Sequence, residues 1–453
     1  MIEFPDNFAW GVATASYQVE GAVDADGRRP SIWDTFSHTP GKIVADEPGD
    51  IANDHYHRYA EDARLLGSLN LGYYRFSVAW PRVQPDGRGP INPAGLDFYK
   101  RLIDALLENG VQPWVTLYHW DLPQVLEDAG GWPARDTAYR FADYAVATFE
   151  GLQDRVRHWT TLNEPWCSAF LGYAAGTHAP GVTDPAASIR AVHHLLLGHG
   201  LAARAIRASH PDAEVGITLN PQPIQPATDS DADRDAARRI DGLRNRLFLD
   251  PLYYGKYPAD VLDDLAGVVD DSYIQGDDEK TIAAPLDFLG INYYSPAVVR
   301  QGADSVSDAA YVGSGDVESV AQGLPVSDMG WEIAPDSLHE LLVRLYRDYP
   351  GVPLYVTENG IALQDRLNAD GTVEDPERIA YLDGHLRAVH RAIADGVDLR
   401  GYFVWTFADN WEWSFGTSKR FGLVYLDYPT QRRIPKSSAR WFADVARRNA
   451  LDT

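Results

Sequence analysis

The fold this sequence predicts is an α/β single (β/α)8 barrel, one domain over residues 1–453 with long loops following its strands. Three observations lead there. Short apolar runs rich in Val, Ile, Leu and aromatics alternate with helical patterns about eight times along the chain. Each run breaks into amides, carboxylates or an imidazole at its C-terminal end, where a parallel barrel builds its site. No linker composition divides the chain. Alternation of this kind gives parallel strands, and eight such units close on themselves more readily than they form two doubly wound halves.

The first strand is expected over 8–18 (F-A-W-G-V-A-T-A-S-Y-Q), with a polar loop through Gly49 after it. Tyr59, Ala63 and Leu66 share a helical face within 56–69. The next strand is Y-Y-R-F-S-V-A-W, 73–80. Arg75 sits inside it, and a buried arginine needs a carboxylate close by. Helix 95–109 stops at Gly110, and strand 113–118 ends in His119, Trp120 and Asp121. Helix 134–149 leads to strand 157–162, which ends in Asn163, Glu164 and Pro165. Helix 188–209 carries His193, His194 and His199, expected at the surface or in packing rather than as ligands. Strand 214–219 ends at Asn220. The Asp/Arg-rich helix 232–249 reads as a solvated face. Strand 286–291 ends in Asn292, Tyr293 and Tyr294, and the Gly/Ser/Asp-rich piece 301–323 reads as a loop insertion. Helix 335–349 precedes strand 354–357, which ends in Glu358, Asn359 and Gly360. Helix 376–395, strand 399–405 and a terminal helix 440–448 complete the pattern.

Composition narrows the partners. Forty basic against 65 acidic residues leave a net charge of −25, which argues against nucleic acid or an anionic membrane surface, since both are bound through basic patches. No apolar run approaches membrane-spanning length. The N-terminus M-I-E-F-P-D-N-F-A-W lacks a basic stretch followed by an apolar core, so a cytoplasmic protein is expected. Cys167 is the one cysteine; it cannot form an intrachain disulfide and is expected as a small buried apolar residue. The 13 Trp and 24 Tyr often lie beside polar residues. Flat faces next to amides and carboxylates suit sugar rings, which are apolar on their C–H faces and hydroxylated at their edges.

The strand ends together supply Gln18, His119 with Trp120, Asn163 with Glu164, Asn292 with Tyr294, Glu358, and Trp405 with Glu412 and Trp413. No strand end has metal-ligand spacing, and the chain carries no phosphate loop, dinucleotide fingerprint or G-x-S-x-G elbow, so neither metal nor cofactor is expected. Two glutamates on separate strand ends remain, and glycoside hydrolysis uses two carboxylates. Singly, Asn163 could cap a turn and His119 could be a satisfied core histidine. Their occurrence at successive strand ends favours chemistry for the group.

At this level of detail the chain resembles glycoside hydrolase family 1, the retaining β-glucosidase group. The resemblance rests on T-L-N-E-P (161–165) and V-T-E-N-G (356–360) above all. A-S-Y-Q-V-E-G (15–21), H-A-P-G (178–181), N-Y-Y (292–294), W-T-F-A-D-N-W-E-W (405–413) and S-K-R-F-G (418–422) agree with it. It implies Glu164 as general acid/base and Glu358 as nucleophile, about 5–5.5 Å apart as a retaining mechanism requires. It implies Arg75 and Tyr294 as the groups that keep Glu358 ionised at low pKa, while repulsion and partial burial keep Glu164 protonated. Gln18, His119, Asn163, Glu412 and Trp413 are implied as ligands of sugar hydroxyls, with Trp405 beneath the ring. Trp120, Asn292 and Tyr294 belong to the same set, and Trp331 and Trp166 to the aglycone entrance. His178, in a turn, is assigned no chemistry.

The implied substrate is a small β-glycoside, with glucose, galactose or fucose at the cleaved end, transfer to sugar acceptors and the oligomeric state left open. Relatives acting on 6-phosphoglycosides lack the glutamate found at 412 and carry tyrosine where Phe421 stands, so unphosphorylated sugars are expected. Relatives cleaving thioglucosides replace the acid/base glutamate by glutamine, so O-glycosides are expected. A catalytically silent sugar-binding barrel and a metal-dependent barrel hydrolase are the rivals from other classes.

Overall fold

In the computed structural model, which describes residues 1–302 and 308–453, strand β1 (Ala9–Ala13) lies between β2 (Tyr73–Ser77) and the last barrel strand, β8 (Leu399–Trp405). Between them run β3 (Gln112–Tyr118), β4 (His158–Asn163), β5 (Glu214–Leu219), β6 (Leu289–Asn292) and β7 (Leu354–Asn359). All pair in parallel with their sequence neighbours, and the pairing of Gly401 with Ala9 through Trp405 with Ala13 closes the barrel. Helices return the chain between strands, as parallel pairing demands. Two of them show why they form where they do. Helix Pro93–Glu108 opens on proline and buries Phe98, Leu102, Ile103 and Leu106 along one face. Helix Pro185–Ser209 starts where the Asp184 carboxylate accepts from the Ala187 amide at 3.0 Å.

The N-terminal half of the barrel interior is plugged. Trp114 meets Phe288, Tyr355 and Phe403 at ring distances of 4.8, 4.9 and 5.2 Å and stacks on His158 at 4.4 Å. Its indole N–H donates to Thr160 Oγ1 at 2.9 Å. Aromatic rings fill the floor, and the polar side chains converge at the C-terminal end of the strands.

The structure corrects three expectations. The first strand stops at Ala13 and Gln18 sits in a short helix, Ser16–Val19, because the Ser16 amide and hydroxyl turn away to Ser77 Oγ (2.7 Å) and Asp121 (2.6 Å). The expected loop 301–323 holds a strand, Val317–Val320, antiparallel to Ala297–Gln301, which itself pairs with Ile224–Pro226; residues 303–307 of that piece lie outside the described residues. Val320 pairs with Val298 and Ser319 with Val299, a β-branched contact that the Gly/Ser/Asp content obscured. The helix expected at 232–249 is interrupted by a π-helical turn, Gly242–Arg246, between Asp231–Asp241 and Leu247–Tyr254. Asn245 exchanges two hydrogen bonds with the Gln222 backbone there (2.9 and 2.7 Å), which holds the widened turn against the loop after β5. Of the two placements expected for them, His193, His194 and His199 take the packing one: they are buried and bonded to Tyr257 and Asp278, the Trp132 carbonyl, and Thr161 respectively.

Candidate active site

Two β-irregularities aim the key side chains. In β7, Tyr355 faces inward against Trp114, and Thr357 donates inward to Asn292 Oδ1 at 2.8 Å. A strict two-residue period would turn Glu358 outward. The register shifts between Val356 and Glu358 against β6, and between Val356 and Asn359 against β8, so Glu358 follows Thr357 into the barrel. Asn359 then points out, donating to the Tyr293 carbonyl (2.7 Å) and Tyr381 (2.9 Å). Gly360 is required by close approach: a Cβ there would lie 1.8 Å from the Trp405 carbonyl oxygen. In β4 the same device recurs. Thr160 faces the plug and Thr161 faces His199, and the register shift between Thr160 and Asn163 brings Asn163 inward. Glu164 follows with φ of 48°, in the left-handed region that non-glycine residues seldom occupy.

The buried polar cluster is continuous. Arg75, fully buried, donates to Glu358 Oε1 at 2.7 Å and to Asn163 Oδ1 at 2.5 Å. The Tyr294 hydroxyl donates to the other Glu358 oxygen at 2.8 Å. Asn292 donates to Glu164 Oε1 at 2.6 Å and reaches Asn163 at 3.1 Å. The Cys167 thiol donates to Glu164 Oε2 at 3.0 Å and is itself approached by the Asn220 amide at 3.3 Å. Asn163 also meets His119 Nε2 at 3.1 Å, and its carbonyl accepts from the Trp120 indole at 2.9 Å. Gln18 donates to Glu412 at 3.2 Å and to the Trp411 carbonyl at 3.0 Å, while its buried carbonyl oxygen has no partner.

Burial sets the protonation behaviour. It pushes the Glu358 carboxyl up, to about 7, with Arg75 pulling down and Glu164 pushing further up. The expectation of a low value is corrected here: one guanidinium does not outweigh desolvation plus a second carboxylate. Glu412 is pushed up to about 8 by burial and by Glu358, against the Gln18 amide. Burial and Arg75 hold His119 well below its ordinary value, so its imidazole is neutral. Burial and the neighbouring Glu358 raise Tyr294, which keeps its proton.

A cavity of about 550 Å³ opens above this cluster. Its wall includes Glu164, Glu358, Glu412, His119, Asn292 and Tyr294, together with Trp120, Trp166, Trp331, Trp405 and Trp413. Arg75, Asn163 and Gln18 lie fully buried and bond to residues of that wall. Trp413 packs on Trp120 at 4.4 Å, and Trp405 stacks near His119 at 5.9 Å. Trp331 is 36% exposed at the mouth and leans on Tyr294 at 5.2 Å.

Several wall residues escaped the sequence reading. His178 packs against Trp120 at 5.3 Å, and Cys167, Asn220, Gln222 and Arg244 line the wall near Glu164. For Asn220 the available signal is its place directly after a predicted strand. Arg244 stood in a charged helix read as solvated, and only the π-helical turn swings it inward.

The Glycosyl hydrolase family 1 model matches residues 1–451. The thermostable beta-glucosidase B of Thermobispora bispora is 54% identical over 451 residues, covering 99% of this chain and 92% of that protein. The bifunctional beta-D-glucosidase/beta-D-fucosidase of Bifidobacterium breve is 48% identical, covering 97% of each chain. The structure of the beta-glucosidase from Thermotoga maritima in complex with deoxynojirimycin superimposes with a TM-score of 0.95 at 44% identity, covering 100% of both chains. With a closed eight-stranded parallel barrel and a carboxylate-lined cavity at its C-terminal end, this chain is an O-glycoside hydrolase that belongs to glycosyl hydrolase family 1.

Proposed function

We propose that the chain is a retaining β-glucosidase, releasing terminal non-reducing β-D-glucosyl residues from aryl or alkyl β-glucosides and from short β-linked glucans such as cellobiose. The observation that carries this reading is the unequal support of two buried carboxyls. Glu358 is gripped by a cation and a phenol, whereas Glu164 is held by a neutral amide and a thiol. A retaining mechanism needs one of the two carboxyls ionised and the other carrying a proton. The guanidinium at 2.7 Å favours the negative charge on Glu358, so we assign Glu358 the role of nucleophile and Glu164 that of proton donor.

The chemistry follows from that asymmetry. The Glu358 carboxylate attacks the anomeric carbon as Glu164 gives its proton to the glycosidic oxygen, and the aglycone departs as an alcohol. Glu358 is then a neutral ester, the repulsion on Glu164 is gone, and Glu164 takes a proton from the incoming water as that water cleaves the ester. We assign Trp405 to the floor under the sugar, Gln18 and Glu412 to the edge away from the anomeric carbon, and Trp413, Trp120, His119 and Asn292 to its surroundings. We assign Asn163, which accepts from Arg75, to the 2-hydroxyl, a contact that would strengthen in the transition state. Acceptance of β-fucosides and β-galactosides, transfer to sugar acceptors, and action on cellulose-derived oligosaccharides in the cytoplasm belong to the same proposal, with residues 1–453 acting as one domain. A 6-phosphoglycoside is not favoured. Lys419 is occupied by Asp328 (2.7 and 3.2 Å), Ser418 bonds the Phe415 carbonyl at 2.6 Å, and Glu412 faces the cavity.

A panel of 4-nitrophenyl β-glycosides and short β-glucans, with the product anomer followed by proton NMR, tests the reading. Hydrolysis with β-glucose as the first product is expected, and Glu358→Gln should remain folded yet inactive. The α-anomer first, or no turnover of any aryl β-glycoside, would overturn it.

A further inference from the structure

One cation on the cavity wall has no carboxylate of its own. Its neighbours in sequence are all paired: Arg238 with Asp235, Asp260 and Asp264, Arg239 with Asp235 and Asp316, Arg246 with Asp260. Arg244, in the π-helical turn, departs from them. Its Nε donates to the Asn220 carbonyl at 3.1 Å, and its guanidinium carbon lies 3.8 Å from the centroid of the Trp166 ring. Among the described residues no carboxylate reaches its two terminal nitrogens. Arg244 is half-buried at the wall, where burial lowers its affinity for its proton and Glu164 and Asp308 offset this only through space. Lining the cavity with no carboxylate bonded to it among the described residues, Arg244 has its terminal nitrogens open to a ligand.

The surroundings say which side of the substrate it meets. Trp166, Cys167 and Asn220 cluster about Glu164, the proposed donor of the proton to the departing oxygen. The groups assigned to the sugar, Gln18 with Glu412 and Trp413 with Trp120, form a separate cluster. Of the acids that share the cavity wall with Arg244, Glu164 is held by Asn292 and Cys167, Glu358 by Arg75 and Tyr294, and Glu412 by Gln18, while Asp308 and Glu332 are engaged by their own loops. Asp308 accepts from the Ala310 amide at 2.9 Å, and Glu332 accepts from the Gln322 and Leu324 amides at 2.6 and 3.2 Å. The terminal nitrogens of Arg244 are thus left for something that enters the cavity.

We infer that Arg244 and Trp166 form a leaving-group subsite that selects planar aglycones bearing an anionic group, of the arylcarboxylate class. This rests on the glycosidase reading above. The guanidinium presents a two-N–H fork that matches a carboxylate edge, and its contact with the Trp166 ring at 3.8 Å holds it in place. A lysine here keeps charge but loses both the fork and the ring contact.

The test compares 4-carboxyphenyl β-glucoside with its methyl ester on the wild type, Arg244→Met and Arg244→Lys. The readout is the acid-to-ester ratio of kcat/KM, which cancels any loss common to both substrates. That ratio should fall about tenfold in Arg244→Met, chiefly through KM, and less in Arg244→Lys. A fall of threefold or more supports the subsite. A smaller change, or equal losses on both substrates, shows that Arg244 only props Trp166 and overturns it. If Arg244→Met does not fold, the same threshold applied to Arg244→Lys decides. Turnover of 4-nitrophenyl β-glucoside by the wild type is measured first. If that fails, the glycosidase reading has failed separately, and calorimetric titration with 4-hydroxybenzoate reads the subsite alone. Binding that is lost in Arg244→Met supports it, and no binding to the wild type overturns it.

Discussion

Replacing Arg75 by methionine isolates the interaction on which the proposed nucleophile depends. The side chain is fully buried and lies 2.7 Å from Glu358, and methionine retains much of its volume without the charge. At an effective dielectric near 20, unit charges at that spacing attract by about 6 kcal/mol before desolvation is subtracted. Removing one member of a buried pair costs about 3–5 kcal/mol net. At about 1.4 kcal/mol per pH unit, that moves the Glu358 carboxyl up by roughly two to three and a half units from its value of about 7. Loss of a cation favours the protonated form, so the acidic limb of the activity profile shifts to higher pH. At pH 7 kcat/KM for 4-nitrophenyl β-glucoside should fall by about 10²–10⁴-fold and recover in part toward pH 9. Circular dichroism establishes that the variant is folded, and the pH profile of kcat/KM is the assay. A loss below tenfold with an unmoved acidic limb would refute the electrostatic role given to Arg75.

Two further predictions concern stability. Glu412, 8% exposed, has its carboxyl raised to about 8 from an ordinary value near 4.5. Between those values the folded state holds a proton that the unfolded chain has released, so stability drains away as pH rises through that window. Glu412→Gln removes this titration. Its stability relative to the wild type should therefore grow by a few kcal/mol from about pH 4.5 to 8, measured by urea unfolding across that range; a difference that does not change with pH would contradict it. Lys436 is wholly buried and bonds Asp365 and Asp409 at 2.6 and 2.7 Å. Lys436→Met should destabilise by about 3–5 kcal/mol, because Arg378 and Arg420 are left to neutralise the two acids alone. A denaturation midpoint within error of the wild type would mean that those arginines suffice.

The barrel was legible in the chain because its signal is local. Apolar runs such as Leu354–Val356 and helical faces such as Phe98–Leu102–Leu106 are written within a dozen residues, and their order restricts the topology. The chemical inventory was legible for a similar reason, since residue types at strand ends are read without knowing their neighbours. What was not legible arises from contacts distant in sequence. Gln18 left its expected strand because Ser16 found Ser77 and Asp121. Arg244 left its expected solvated face because Asn245 found Gln222.

By itself, then, the sequence determined an eightfold alternation of strand and helix and the presence of Glu164 and Glu358 at two strand ends. Only the tertiary structure decided that both strands break register, so that these ends face one another's side of the barrel. It also decided that burial would hold the Glu358 carboxyl up near 7 instead of leaving it low. The physical reason is one of range. Periodicity depends on the residues next in the chain, whereas a carboxyl's charge depends on Arg75, 283 residues away, and on how completely water is excluded between them.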